Sequence, residues 1–214
     1  MSDEPAAIAP LAGDLDVGAQ SQAQGLNPGR RIGDVVVSTT LGLMLSPLAL
    51  LLGVLIWSTS KGPAIYWSTR VGRGGNPFRM PKFRTMHVGT PELPTDRMLL
   101  PDVHTTPVGR ILRKLSLDEL PQLWSVLIGD MSLVGPRPAL PTQTTLNASR
   151  QAHGIHSLRP GITGWAQVNG RDDIAESRKI ELDAEYLERH SFLMDMHILW
   201  LTVWRVVRSQ GVKH

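Results

Sequence analysis

A chain of 214 residues has room for one domain with a real core, or for a smaller domain with appendages. It contains no cysteine, which excludes disulfides, thiolate metal sites and cysteine nucleophiles and suits a reducing compartment. The formal net charge is only +3, yet the sequence pI is about 9.6 and the charges are segregated along the chain, so a phosphate-bearing partner is expected without its class being fixed.

Residues 1–29 hold no Lys or Arg and carry Asp3, Glu4, Asp14 and Asp16 among Ala, Gly, Gln and Pro. So few large apolar side chains cannot build a core, and the segment reads as a disordered acidic tail. It is not a signal peptide, since no positive region precedes an apolar stretch.

From Val35 to Trp57 the chain runs VVVSTTLGLMLSPLALLLGVLIW without one charge. About 20 such residues suffice to span the hydrocarbon core, whereas a buried soluble helix seldom stays apolar on every face. Ser46-Pro47 lies near the centre, where a proline deletes one helical hydrogen bond and frees a carbonyl that a serine hydroxyl can satisfy. Two geometries follow for residues 30–60: a kinked full span, or a re-entrant helix-break-helix with both ends on the cytoplasmic side. Arg30-Arg31 on one flank and a basic block on the other favour re-entry.

That block comprises Lys61, Arg70, Arg73, Arg79, Lys82 and Arg84 before any acidic residue, and it suits nucleic acid, lipid head groups or a nucleotide. A nucleic-acid binder is disfavoured, because interleaved exposed aromatics are missing and the apolar segment is a poor companion. The string GRGGNP (72–77) matches neither phosphate-loop fingerprint and reads as a surface turn. Residues 86–108 read as loop with at most a short helix.

Helices are expected at about Arg110–Leu115 and Pro121–Ile128, the second closed by Gly129. Ser116 and Glu119 have the spacing of a capping box. Pro121 argues against it, because as the fifth helical residue it would lack the N–H owed to Leu117. The start then moves to about Asp118 or later, leaving the Asp118-Glu119 pair at the helix mouth, free to cap, to do chemistry, or both. Residues 171–189 read as a charged, exposed helix. Residues 191–208 read as a strongly apolar helix whose Trp200 and Trp204 lie either in the core or in the membrane interface. His153 and His156 have no partner at ligand spacing and read as surface or cap residues.

The Ser46-Pro47 break, KFRTM (82–86), LSLDELPQLWSVLIGDMSLVGPRP (115–138), RPGITGWAQVNGR (159–171) and the ELDAEY…D…ILWLTVWRVV tail, in that order, resemble the bacterial sugar transferases, the monotopic phosphoglycosyl transferases. The resemblance implies transfer of sugar-1-phosphate from a UDP-sugar to a membrane polyprenyl phosphate with release of UMP. By the same resemblance Asp118 is the nucleophile that forms an aspartyl-phosphosugar, and Glu119 binds Mg²⁺. Charge considerations agree, since a carboxylate approaches a diphosphate only where cations neutralise the nonbridging oxygens. The cations in matching motifs are Lys82, Arg84, Arg113 and Arg137, with Arg137 stiffened by Pro136 and Pro138. Lys82 and Arg84 have an alternative as lipid anchors, and Arg113 as an exposed helix residue. The run Gly161, Thr163 and Gly164 is expected either to bring backbone N–H groups to the nucleotide or to form an ordinary turn.

The expected fold is a small α+β, mostly helical domain at 61–214, membrane-associated, with the re-entrant segment and interfacial amphipathic helices. The expected place is the cytoplasmic face of the bacterial inner membrane. The partners are a UDP-sugar, polyprenyl phosphate and inner-membrane lipid, with a homodimer left open and no nucleic acid. The competing reading is a non-enzymatic membrane adaptor that binds anionic lipid through the basic block.

Overall fold

The computed structural model describes residues 28–93, 101–170 and 174–207. The acidic tail up to residue 27, Arg171 and Arg208 lie outside the described residues.

The apolar stretch forms one helix, α1 (Pro28–Thr59), whose 32 residues extend about 48 Å at helical rise. The expected break is not an interruption of helical structure, because α1 continues through Pro47. The reason is local. The carbonyl that Pro47 cannot serve is that of Leu43, four residues back, and the Ser46 hydroxyl donates to it at 2.8 Å.

Only four residues of α1 are buried, and they fall in two pairs one turn apart, Asp34 with Ser38 and Leu52 with Ile56. Near its start, Asp34 accepts from the Ser132 hydroxyl (2.8 Å) and the Leu133 N–H (3.2 Å). Arg30 donates to the Val134 carbonyl (2.8 Å) and the Tyr186 hydroxyl (2.6 Å) and pairs with Asp195 at 3.2 Å. Near its end, Leu52 and Ile56 pack with Phe83 and Leu112 in a small apolar core. Both ends of α1 therefore grip the same folded unit, while Leu43, Met44, Leu50 and Leu51 between them are exposed.

Strands β1 (Ile65–Val71) and β2 (Pro77–Phe83) pair antiparallel from Ile65↔Phe83 to Val71↔Pro77. Their connection is the GRGGNP turn, where Gly74 and Gly75 take φ of 69° and 77°, conformations that favour glycine. The turn was legible from sequence; the hairpin it closes was not. After a short helix, α2 (Pro101–His104), comes α3 (Pro107–Lys114), whose first turn is capped by the Thr106 hydroxyl accepting from the Gly109 N–H at 2.9 Å. Helix α4 (Gln122–Ile128) ends at Gly129 with φ 96°, and Arg31 donates to the Val126 and Leu127 carbonyls at its C-terminal end (2.5 and 2.7 Å).

The short strands β3 (Ser132–Val134) and β4 (Gly161–Thr163) pair in parallel, with α5 (Thr144–Ala152) between them in sequence. Then follow α6 (Trp165–Val168), α7 (Glu176–Arg189) and α8 (Phe192–Val207). The main core gathers Met80, Val126, Val134, Tyr186 and Ile198 from β2, α4, β3, α7 and α8, with Met131 just before β3 and Ile155 in a short turn. Helix α8 buries Ile198 and exposes Phe192, Leu193, Met196, Trp200, Val203 and Trp204, with the two tryptophan rings stacked at 6.3 Å. An apolar face this wide suits a membrane interface.

Candidate active site

Asp118 and Glu119 sit in a single 3₁₀ turn, Leu117–Glu119, between α3 and α4. Ser116 does not start a capping box: it lies in the left-handed region at φ 56°, and its side chain makes no capping hydrogen bond. Among the described residues it is the only non-glycine with positive φ, so the backbone carries local strain immediately before the carboxylate pair. Pro121 precedes the first residue of α4, where its missing N–H costs nothing.

Three parts of the chain supply cations to this turn. Lys82, on β2, donates to Glu119 Oε1 at 3.0 Å. Arg137 donates to the same oxygen from both terminal nitrogens at 3.3 Å. Arg113, in the last turn of α3, donates to the Thr105 hydroxyl at 3.5 Å and lies near enough to stabilise the charge of Asp118. Burial pushes the Asp118 carboxyl above the ordinary carboxylate range; Lys82 is the chief opposing influence and the neighbouring Glu119 adds to the rise. The two carboxylates thus differ in setting, Glu119 being paired with Lys82 and Arg137 while Asp118 is raised chiefly by burial.

Arg137 is itself held. Its backbone carbonyl accepts from Arg150 at 2.8 Å, and Arg150 pairs with Asp183 Oδ2 at 2.6 Å, both side chains almost wholly buried. Burial outweighs the attraction of Arg150 in raising the Asp183 carboxyl. Neither residue was singled out from sequence, because the pair joins positions 33 apart with no shared local pattern.

Arg70 was named from sequence only within the basic block, with no role of its own. It projects from β1, donates through Nε to the Ser68 hydroxyl (2.8 Å) and through a terminal nitrogen to the Pro138 carbonyl (3.4 Å). Arg84, in contrast, is drawn away: it donates to the Lys61 carbonyl at 2.9 Å, over Gly62.

The glycines of the 160s are engaged by the chain's own backbone. The Gly161 N–H goes to the Pro136 carbonyl at 3.0 Å, and the Thr163 hydroxyl shares a hydrogen bond with Thr202 at 2.7 Å. A Cβ at Gly161 would overlap the Gly135 amide nitrogen, and one at Gly164 the Gly135 carbonyl oxygen. Their smallness allows two backbones to meet under the Gly135–Pro138 loop that carries Arg137. His153 follows the end of α5 and bonds to the Ser149 carbonyl, and His156 bonds to Gln151, in keeping with cap and surface roles.

Among the described residues no group of three His, Asp or Glu side chains is placed to hold a metal. Asp118 and Glu119 nevertheless offer adjacent hard oxygen donors, and a magnesium ion is commonly held by one or two carboxylates with substrate phosphate and water completing its shell. An open apolar groove of about 470 Å³ begins at Leu120-Pro121, directly after the carboxylates, and runs along Leu50, Val54 and Trp57 of α1 and Phe83 of β2. A polar cluster and an apolar channel thus meet at one turn of chain.

Comparison with known proteins bears on what such a site does. The family described as bacterial sugar transferase matches residues 26–209. The uncharacterized sugar transferase EpsL of Bacillus subtilis (strain 168) is 49% identical over 152 residues, covering 71% of this chain and 73% of that protein. The undecaprenyl-phosphate glucose phosphotransferase of Komagataeibacter xylinus is 39% identical over 195 residues, 85% of this chain but only 36% of that longer protein. The exopolysaccharide production protein ExoY of Rhizobium meliloti (strain 1021) is 35% identical over 197 residues, 85% of this chain and 87% of its own. With the family matched over nearly the whole length, this chain belongs to the bacterial sugar transferases and is a sugar-phosphate transferase.

Proposed function

We propose that the chain transfers sugar-1-phosphate from a UDP-sugar to undecaprenyl or a similar polyprenyl phosphate, releasing UMP, as an early step in building an exopolysaccharide or related glycan. The observation that carries this reading is the division of labour at one turn: a buried carboxyl, Asp118, beside Glu119, Lys82, Arg113 and Arg137, at the mouth of an apolar groove. The relatives' names support the substrates, since several are UDP-glucose:undecaprenyl-phosphate glucose-1-phosphate transferases.

In this mechanism ionised Asp118 attacks the β-phosphorus of the UDP-sugar. The Asp118 oxygen–phosphorus bond forms while the bond to the α–β bridging oxygen breaks, and UMP leaves with that electron pair. An oxygen of the acceptor phosphate then attacks the same phosphorus and Asp118 departs as carboxylate, leaving a polyprenyl diphosphate sugar. Arg137 and Lys82 hold the phosphoryl oxygens, and Lys82 with Arg113 favours the ionised form of Asp118. Glu119, with Asp118 alongside, would hold Mg²⁺, which when bound supplies charge neutralisation at the nonbridging oxygens. The apolar groove takes the first isoprene units, so that the acceptor phosphate arrives at Asp118 from the membrane side.

The same reading places the enzyme at the cytoplasmic face of the inner membrane with α1 re-entrant. Its support is that both ends of α1 bind one folded unit, through Asp34 and Arg30 at the start and through Leu52 and Ile56 at the end. A straight transmembrane passage would carry one of these pairs to the far side.

The test is UMP release from a panel of UDP-sugars by membranes containing the protein and undecaprenyl phosphate. Release with at least one sugar, abolished in Asp118→Asn, is expected. Release with none, or full activity in the Asp118→Asn variant, would overturn the proposal.

A further inference from the structure

The alternation of β1 puts Tyr66, Ser68 and Arg70 on one face of the strand, while Trp67 and Thr69 point to the other. Ser68 is buried and donates to Glu92, so Arg70 makes no direct hydrogen bond to that carboxylate among those described. The two hydrogen bonds that Arg70 makes among the described residues end on neutral oxygens, the Ser68 hydroxyl and the Pro138 carbonyl. The next residue of the strand is tied to the same loop, with the Val71 N–H donating to the Ala139 carbonyl at 2.9 Å, so the guanidinium is carried on rigid backbone against the loop of Arg137.

Arg70 thus reaches the loop that carries Arg137 with its guanidinium largely withdrawn from water. Burial, followed by repulsion from Arg137, lowers Arg70 to about 10, and the attractions of Glu92 and Glu119 only partly offset this. Such an arrangement is unfavourable without an anion and becomes favourable with one, since each guanidinium presents a planar fork that matches phosphate oxygens.

Resting on the proposed function, we propose that Arg70 is a second phosphate-binding guanidinium of the active site, acting with Arg137 on the phosphoryl oxygens of a substrate. Lys82 and Arg137 are paired to Glu119, whereas Arg70 is offered to the site with neutral acceptors only. The phosphate comes either from the diphosphate of the nucleotide donor or from the phosphate of the lipid acceptor, and the experiment separates them.

The full chain in nanodiscs, as wild type, Arg70→Gln and Arg70→Lys, is titrated with UDP and Mg²⁺, and KM is measured separately for UDP-glucose and for undecaprenyl phosphate. Loss of one charge-assisted contact weakens binding by about 10- to 100-fold. Arg70→Gln is expected to show that loss for UDP and for the UDP-glucose KM when the donor supplies the phosphate, or for the undecaprenyl phosphate KM when the acceptor does. Arg70→Lys, which keeps the charge but not the fork, is expected to recover part of it. Unchanged affinity and KM for both substrates in Arg70→Gln overturns the inference. So does an Arg70→Lys variant no better than Arg70→Gln with both melting below wild type, because the side chain is then only a brace. A wild-type protein that neither binds UDP nor releases UMP sinks the proposed function itself, and this inference with it.

Discussion

The buried Arg150–Asp183 pair lets stability and activity be separated by mutation. Its side chains are 6% and 2% exposed, so either charge left alone is stranded in the protein interior. Removing one partner, as in Asp183→Leu, is expected to cost about 3–5 kcal/mol. For a chain of this size that lowers the melting temperature by roughly 6–20 °C. Replacing both partners, Arg150→Met with Asp183→Leu, should restore stability to wild type or beyond, because burial already outweighs the attraction of Arg150 at Asp183. Activity should not follow. The double variant still lacks the Arg150 hydrogen bond to the Arg137 carbonyl, and a charged donor of this kind contributes about 1.5–3 kcal/mol, or roughly 10- to 100-fold in kcat/KM if it holds Arg137 in place. Thermal unfolding in nanodiscs and UMP release measure the two quantities on one preparation. A double variant that is stable and fully active would refute the positioning role of Arg150.

The acid limb of the pH–rate profile should lie above the ordinary carboxylate range, because burial raises Asp118 and only its ionised form attacks; activity is present above that pKa and lost as pH falls through it. Lys82→Met removes the chief opposing influence and should move the limb to higher pH, while an unmoved limb would detach Lys82 from Asp118. Gly161→Ala should destabilise by more than about 3 kcal/mol, since its Cβ would meet the Gly135 backbone and no flexible side chain can yield; a normal melting temperature would contradict the packing of β3 on β4. Chelation should abolish turnover and Glu119→Gln should sharply raise the Mg²⁺ requirement, and unchanged metal dependence in that variant removes Glu119 from the ion. A cysteine introduced at Ala19 should be protected from a membrane-impermeant reagent in intact cells. Ser46→Ala with Pro47→Ala should let part of the population become labelled, and labelling in the otherwise native background would mean that α1 spans.

What is local in this protein was legible in its residues. The absence of charge from Val35 to Trp57, the Gly129 helix end, the turn at Gly74-Gly75 and the effect of Pro121 all follow from backbone conformation or periodicity within a few residues. The last of these alone was enough to set aside the capping box and leave Asp118-Glu119 exposed to chemistry at a helix mouth. The family likeness, carried by long motifs in order, then named the reaction class.

The tertiary structure decided whatever depends on contacts between distant positions. Arg30 meets Tyr186 across 156 residues, and no spacing rule relates them. Arg70 reaches the Arg137 loop only because β1 turns it that way, while Arg84, two residues beyond Lys82, is drawn to the Lys61 carbonyl. At Gly161 and Gly164, where the sequence left a nucleotide cradle and an ordinary turn both open, two backbones approach so closely that no Cβ fits. The helix at Ser46-Pro47 continues because one hydroxyl replaces one lost hydrogen bond, a balance that proline alone does not reveal. Short-range sterics and periodicity are written into neighbouring residues, whereas the meeting of charges exists only after the chain has folded.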